Sequence, residues 1–108
     1  MQSKKKNGRL ALAMYYVYIL HCVDNTYYVG STNDIIRRLH AHNHLKSGAH
    51  YTKIRRPVTL AYLDRLDTYS QARAREAELK RLTRSEKIKL VELFHEQSLR
   101  LLPSKEVQ

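Results

Sequence analysis

Apolar and polar positions fall into short strand-like runs and helical stripes along this chain. Tyr15 to Cys22 (YYVYILHC) is a β-branched and aromatic run, which predicts a strand. Val23-Asp24-Asn25 is turn chemistry, with an Asn that tolerates the left-handed conformation. Thr26 to Ser31 (TYYVGS) predicts a second strand and closes a hairpin. Thr32 or Asn33 can cap a helix running to about Leu45, with Ile35, Ile36 and Leu39 on its apolar side. Lys46 to Pro57 reads as a basic loop, and Val58 to Leu66 (VTLAYLDRL) as a third strand. Thr68-x-x-Gln71 and Thr83-x-x-Glu86 have the form of capping boxes. The first opens a helix with Ala72, Leu79 and Leu82 inward, the second a helix with Ile88, Val91 and Phe94 inward. The order ββ-α-β-α-α predicts an α+β fold, a small three-stranded antiparallel sheet flanked by helices.

Length and composition narrow the setting. A chain of 108 residues has room for one domain. We place that domain at residues 14–99, after a flexible basic arm at 1–13 and before a tail at 100–108. The arm carries Lys4, Lys5, Lys6 and Arg9 and has no amphipathic period. The only cysteine is Cys22, so no internal disulfide is possible and a reducing compartment is expected. No apolar run is long enough to span a bilayer, and Leu10 to Met14 is too short for a secretory signal. The expectation is a cytoplasmic protein without a membrane partner. The formal net charge is +10, and residues 14–99 hold fourteen Lys and Arg against nine Asp and Glu. The domain itself is therefore basic, which suggests a polyanionic partner or simply a well-solvated surface.

Few residues offer chemistry. Glu76 lies on the same helical stripe as Ala72 and Leu79, where a carboxylate is costly unless it is paired or binds a cation. An i,i+4 ion pair with Lys80 is the simpler reading. Gly30 is unusual inside a strand and often marks close approach by a backbone or ligand. The hairpin turn sets how Tyr18 and Tyr28 relate. A two-residue turn puts them on opposite faces. A three-residue loop with Asn25 left-handed pairs Leu20 with Tyr28 and Tyr18 with Gly30, so both hydroxyls share a face beside an open space. Arg38 and His42, at i,i+4, share a helix face, either as a phosphate clasp or as a solvated edge. His40, His42 and His44 with Cys22 invite a zinc reading, but alternate helix positions diverge by about 200°, and no Cys pair supports it.

Taken together, Tyr16-Val17-Tyr18, Tyr28-Val29-Gly30, Arg38, His42 and a later helical Glu76 resemble the GIY-YIG nuclease family. The resemblance runs from residue 14 to about 94 and is closest to the small single-domain bacterial branch. The segment from Ala72 through Glu76 and Lys80 to Lys87 fits that branch as well. Tyr16 stands where the family has its first glycine, and no counterpart of the late Asn of some relatives is evident. If that glycine leaves room for substrate, Tyr16 narrows the site.

The resemblance implies an endonuclease that hydrolyses phosphodiester bonds with one divalent ion, Mg²⁺ or Mn²⁺, held through Glu76. Tyr18 would act as general base or relay for the attacking water, and Tyr28 would position the water or the phosphate. Arg38 would neutralise developing charge, and His42 would be a second base or a positioning group. Gly30, Lys53, Arg55, Arg56, Arg73 and Lys80 are the candidate substrate contacts. DNA is favoured over RNA, in repair or processing, with no obligate protein partner. The alternative is a non-catalytic nucleic-acid-binding protein on the same fold.

Overall fold

The computed structural model describes residues 14–101; the proposed basic arm and the end of the proposed tail lie outside this range. Strands β1 (Tyr15–Cys22), β2 (Tyr27–Thr32) and β3 (Val58–Leu66) form an antiparallel sheet in the order β2-β1-β3. Helices α1 (Ile35–His44) and α2 (His50–Lys53) follow β2, and α3 (Tyr69–Arg81) and α4 (Arg84–Arg100) follow β3. The α+β architecture expected from the sequence is the observed one.

β1 is central and buried on both faces, which explains its nearly unbroken apolar sequence. Its alternate residues feed two cores. Val17 and Ile19 join Val29, Tyr62, Ala72 and Leu79 beneath α3 and α4. Tyr18, Leu20 and Cys22 join Val58 beneath α1, with Ile35, Leu39 and Tyr51 packed around them. Burying a side chain such as Leu79 in the first core is worth about 1.5–3 kcal/mol. Among the described residues, no helix is long and apolar enough to cross a membrane.

The hairpin has the three-residue loop. Asn25 is left-handed at φ 66, and Cys22 N–H bonds the Thr26 carbonyl at 2.9 Å. Leu20 pairs with Tyr28 and Tyr18 with Gly30. Both capping boxes form, at Thr68 with Gln71 and at Thr83 with Glu86. Three local expectations are corrected. The cap of α1 is Asp34, whose carboxylate accepts from Arg37 N–H, because Thr32 ends β2 and spends its hydroxyl on the Asp34 backbone. Ile36 is 82% exposed: α1 turns Ile35, Leu39 and His42 to the sheet, leaving Ile36 on the outer side. The segment 46–57 is not all loop, since α2 makes one turn within it.

Candidate active site

The hairpin register creates the site. Tyr18 and Tyr28 project from the α1 face of the sheet with ring centroids 6.5 Å apart. Gly30 lies opposite Tyr18, and the space left by its missing side chain is taken by Tyr18 itself: a Cβ there would be 2.5 Å from the Tyr18 hydroxyl oxygen. Gly30 thus makes room for a catalytic candidate rather than for substrate. Tyr16 is half-buried on the same face, opposite Thr32.

α1 lays His42 over this pair. His42 is fully buried, and its Nε2 is 2.7 Å from the Tyr18 hydroxyl oxygen. The Tyr28 ring meets the imidazole edge-on at 5.2 Å. Burial holds His42 down to about 4, and the Arg38 and Arg56 charges act in the same direction. Burial also pushes Tyr18 up to about 12, while the neighbouring Arg38 guanidinium draws it part of the way back. At neutral pH the pair is therefore a neutral phenol hydrogen-bonded to a neutral imidazole. Arg38 is half-buried, and its Nη1 donates to the Ser47 carbonyl at 2.9 Å. It lines an open groove of about 520 Å³ with Thr32, Asn33, Asp34 and Arg37.

Glu76 stands on the other side of edge strand β2. Ser31, the neighbour of Gly30, points to the α3 face and donates to Glu76 Oε1 at 2.8 Å. Lys80 Nζ is 3.0 Å from Oε2, so the simple i,i+4 pairing is present. Burial raises the Glu76 carboxyl, but the bonds from Lys80 and Ser31 outweigh it and hold the group below the ordinary value. Its charge still reaches Tyr18, adding to the upward push there. A shallow cleft exposes Glu76 between Arg73, Ala77 and Lys80.

A single carboxylate supplies the kind of hard oxygen donor that a divalent cation keeping several waters uses, but here its two oxygens are engaged by Ser31 and Lys80. A caged transition metal does not fit: among the described residues no three His, Cys, Asp or Glu converge. His42 points inward, away from His40 and His44, whose rings lie tilted to each other at 4.7 Å, so the three histidines of the zinc reading do not converge.

The other basic candidates divide. Arg56 Nε donates to the His42 carbonyl at 2.7 Å, and its Nη2 to those of Leu45 at 2.6 Å and Ala41 at 3.2 Å. It therefore caps the end of α1. Arg55 lies 3.8 Å over the Tyr51 ring, beside Asp24 at 2.9 Å, and donates to the Tyr51 carbonyl. Lys53 reaches the Lys46 carbonyl at 3.1 Å. Arg73 and Lys80 flank Glu76 and are exposed. Thr52 and Ser31, which contact His42 and Glu76, carry no signal in the sequence beyond being small hydroxyl residues near motif positions.

Residues 14–89 match the model of the GIY-YIG catalytic domain. The chain is 50% identical over 76 residues to a UPF0213 protein of Syntrophus aciditrophicus, covering 70% of this chain and 87% of the relative. It is 45% identical over 74 residues to a UPF0213 protein of Halobacterium salinarum, covering 68% and 95%. A solution NMR structure of a protein from E. faecalis is similar at 38% identity and TM-score 0.54, over 76% of this chain and 86% of that one.

Proposed function

The chain belongs to the GIY-YIG family, and from that premise we propose that it is a divalent-metal-dependent endonuclease acting on nucleic acid, DNA before RNA. The observation that carries the reading is the 2.7 Å contact between the Tyr18 hydroxyl and His42 Nε2, with Arg38 beside it. Residues 14–99 would be the nuclease domain, with the arm at 1–13 and the tail at 100–108 outside it. The lone Cys22 suits a cytoplasmic setting.

In this reading a phosphodiester lies against the edge of β2, where it can be approached from both faces of the sheet. Tyr18 with a value of about 12 stays protonated at neutral pH and cannot act as a base by itself. Its hydroxyl can instead pass its proton to His42 Nε2 while taking one from the attacking water. The relay leaves an imidazolium and never requires a free tyrosinate. Arg38 presents a planar fork to the phosphate oxygens and offsets the charge that builds there. Tyr28, packed between His42 and Tyr51, orients the water or the phosphate. Glu76 would hold Mg²⁺ or Mn²⁺, which when bound supplies charge stabilisation to the phosphate and the leaving oxygen. Arg73 and Lys80 keep free cations away until a phosphate brings its own negative charge. They also serve as backbone contacts, a role to which Arg55 and Arg56 add little while they brace the protein.

The test is incubation of the full chain with labelled single-stranded, duplex, nicked and branched DNA and with RNA, in Mg²⁺, Mn²⁺ or EDTA. Cleavage that requires the ion and is lost in Tyr18→Phe supports the proposal. Tight binding of every form without cleavage would instead favour a non-catalytic binding protein.

A further inference from the structure

His42 has a second buried contact on its far side. Its Nδ1 is 2.8 Å from Thr52 Oγ1, and that oxygen is 2.9 Å from the Ala49 carbonyl. Thr52 is fully buried. We propose that Thr52 is a positioning residue that locks His42 in the tautomer protonated at Nδ1, leaving Nε2 free to take the Tyr18 proton.

The hydrogen bonds run in one direction only. The Tyr18 hydroxyl is buried, and its proton needs an acceptor. Arg38, its other polar neighbour, can only donate. So Nε2 must accept, and the ring proton must sit on Nδ1. Thr52 Oγ1 then accepts that proton and sends its own to the Ala49 carbonyl. The opposite tautomer would strand the Tyr18 hydroxyl proton without an acceptor in the core.

Three features keep Thr52 in place. It lies within the turn α2, and both its backbone N–H and its hydroxyl donate to the Ala49 carbonyl at the start of that turn. Gly48 lets this segment approach α1: a Cβ there would overlap the Ala41 carbonyl oxygen and come within 2.9 Å of His42 Cα. Arg56 ties the other end of the segment to α1 carbonyls. Thr52 fills the place that a carboxylate holds behind many catalytic histidines. A neutral hydroxyl orients the ring without adding charge, so His42 stays neutral with Nε2 unprotonated at neutral pH.

This inference rests on the nuclease reading for its purpose but not for its test. Nitrogen-15 spectra of the His42 ring at neutral pH report which nitrogen bears the proton, with or without cleavage. The wild-type chain and Thr52→Ser should show Nδ1–H. Thr52→Val, of similar volume without the hydroxyl, leaves the Nδ1 proton without an acceptor, which competes with the demand of Tyr18 on Nε2; a fraction of Nε2–H should therefore appear, and cleavage should slow at least tenfold at unchanged KM, with Ser within about threefold of wild type. An Nε2–H tautomer in the wild-type chain overturns the proposal and needs no variant to fold. So does a Val variant that keeps pure Nδ1–H, or one that cuts like wild type. If the wild-type chain cuts nothing, the nuclease reading fails, and the ring spectra still decide the tautomer.

Discussion

Tyr18 stands directly across the β1–β2 ladder from Gly30, and its hydroxyl occupies the volume that any side chain at Gly30 would need. The relation explains a glycine inside a strand without invoking backbone freedom, since no glycine among the described residues has a positive φ.

Gly30→Ala should therefore act through Tyr18. The added methyl meets Tyr18 Oη at 2.5 Å, Tyr18 Cζ at 2.7 Å and Tyr28 Cε2 at 3.0 Å. Overpacking of this kind costs about 1–3 kcal/mol. Displacing the ring also breaks the bond to His42, so cleavage should fall at least tenfold. Denaturation of Gly30→Ala, Tyr18→Phe and the double variant checks the mechanism. The double should lose less stability than the two singles together, since Phe removes the atom that collides first. Strict additivity would mean the two residues do not meet.

The imidazole makes stability pH-dependent. An unfolded histidine protonates near 6.5, whereas His42 in the fold resists until about 4. Between those values the unfolded chain binds the additional proton. Stability from His42 is thus full above about pH 6.5 and is lost as pH falls toward 4, by at most about 3 kcal/mol. Denaturant midpoints across this window should fall with acid in wild type, and more gently in His42→Gln. A His42 titration midpoint near 6.5 by NMR would contradict the buried, neutral ring.

Local chemistry made much of this molecule legible in advance. Asn25 at the end of a three-residue turn set the parity that brings Tyr18 and Tyr28 to one face. Thr68 with Gln71 and Thr83 with Glu86 marked two helix starts through their own hydrogen bonds. The segment 46–57 was opaque because long-range contacts organise it. Thr52 is placed by the packing of α2 on α1, and Arg56 looks like any exposed cation until three carbonyls of α1 are seen around it. Glu76 was legible as inward-facing and as a partner of Lys80, but not as tied to Ser31, which lies 45 residues away in the chain.

Those two contacts sharpen what Glu76→Gln should do. Gln retains an oxygen for the Ser31 hydroxyl, so the tie across the β2 edge survives. Only the pair with Lys80 is lost, and Lys80 is 57% exposed. An i,i+4 pair of this kind contributes about 0.3–0.5 kcal/mol, which is a Tm loss of a few degrees at most. Nucleic-acid affinity should hold or tighten, because one negative charge leaves the neighbourhood of the phosphates. Cleavage should fall by orders of magnitude, because an amide gives a hard cation no charge to bind. Lys80→Ala is the needed comparison: it breaks the same ion pair at similar cost in stability but leaves the carboxylate, so it should bind substrate more weakly yet keep its dependence on the metal ion at saturating substrate. Rates, affinities and Tm for the three proteins in Mg²⁺ and in EDTA separate the roles. A Glu76→Gln protein that cuts at the wild-type rate in Mg²⁺ would reduce Glu76 to the partner of Lys80 and Ser31 and remove the metal from this account.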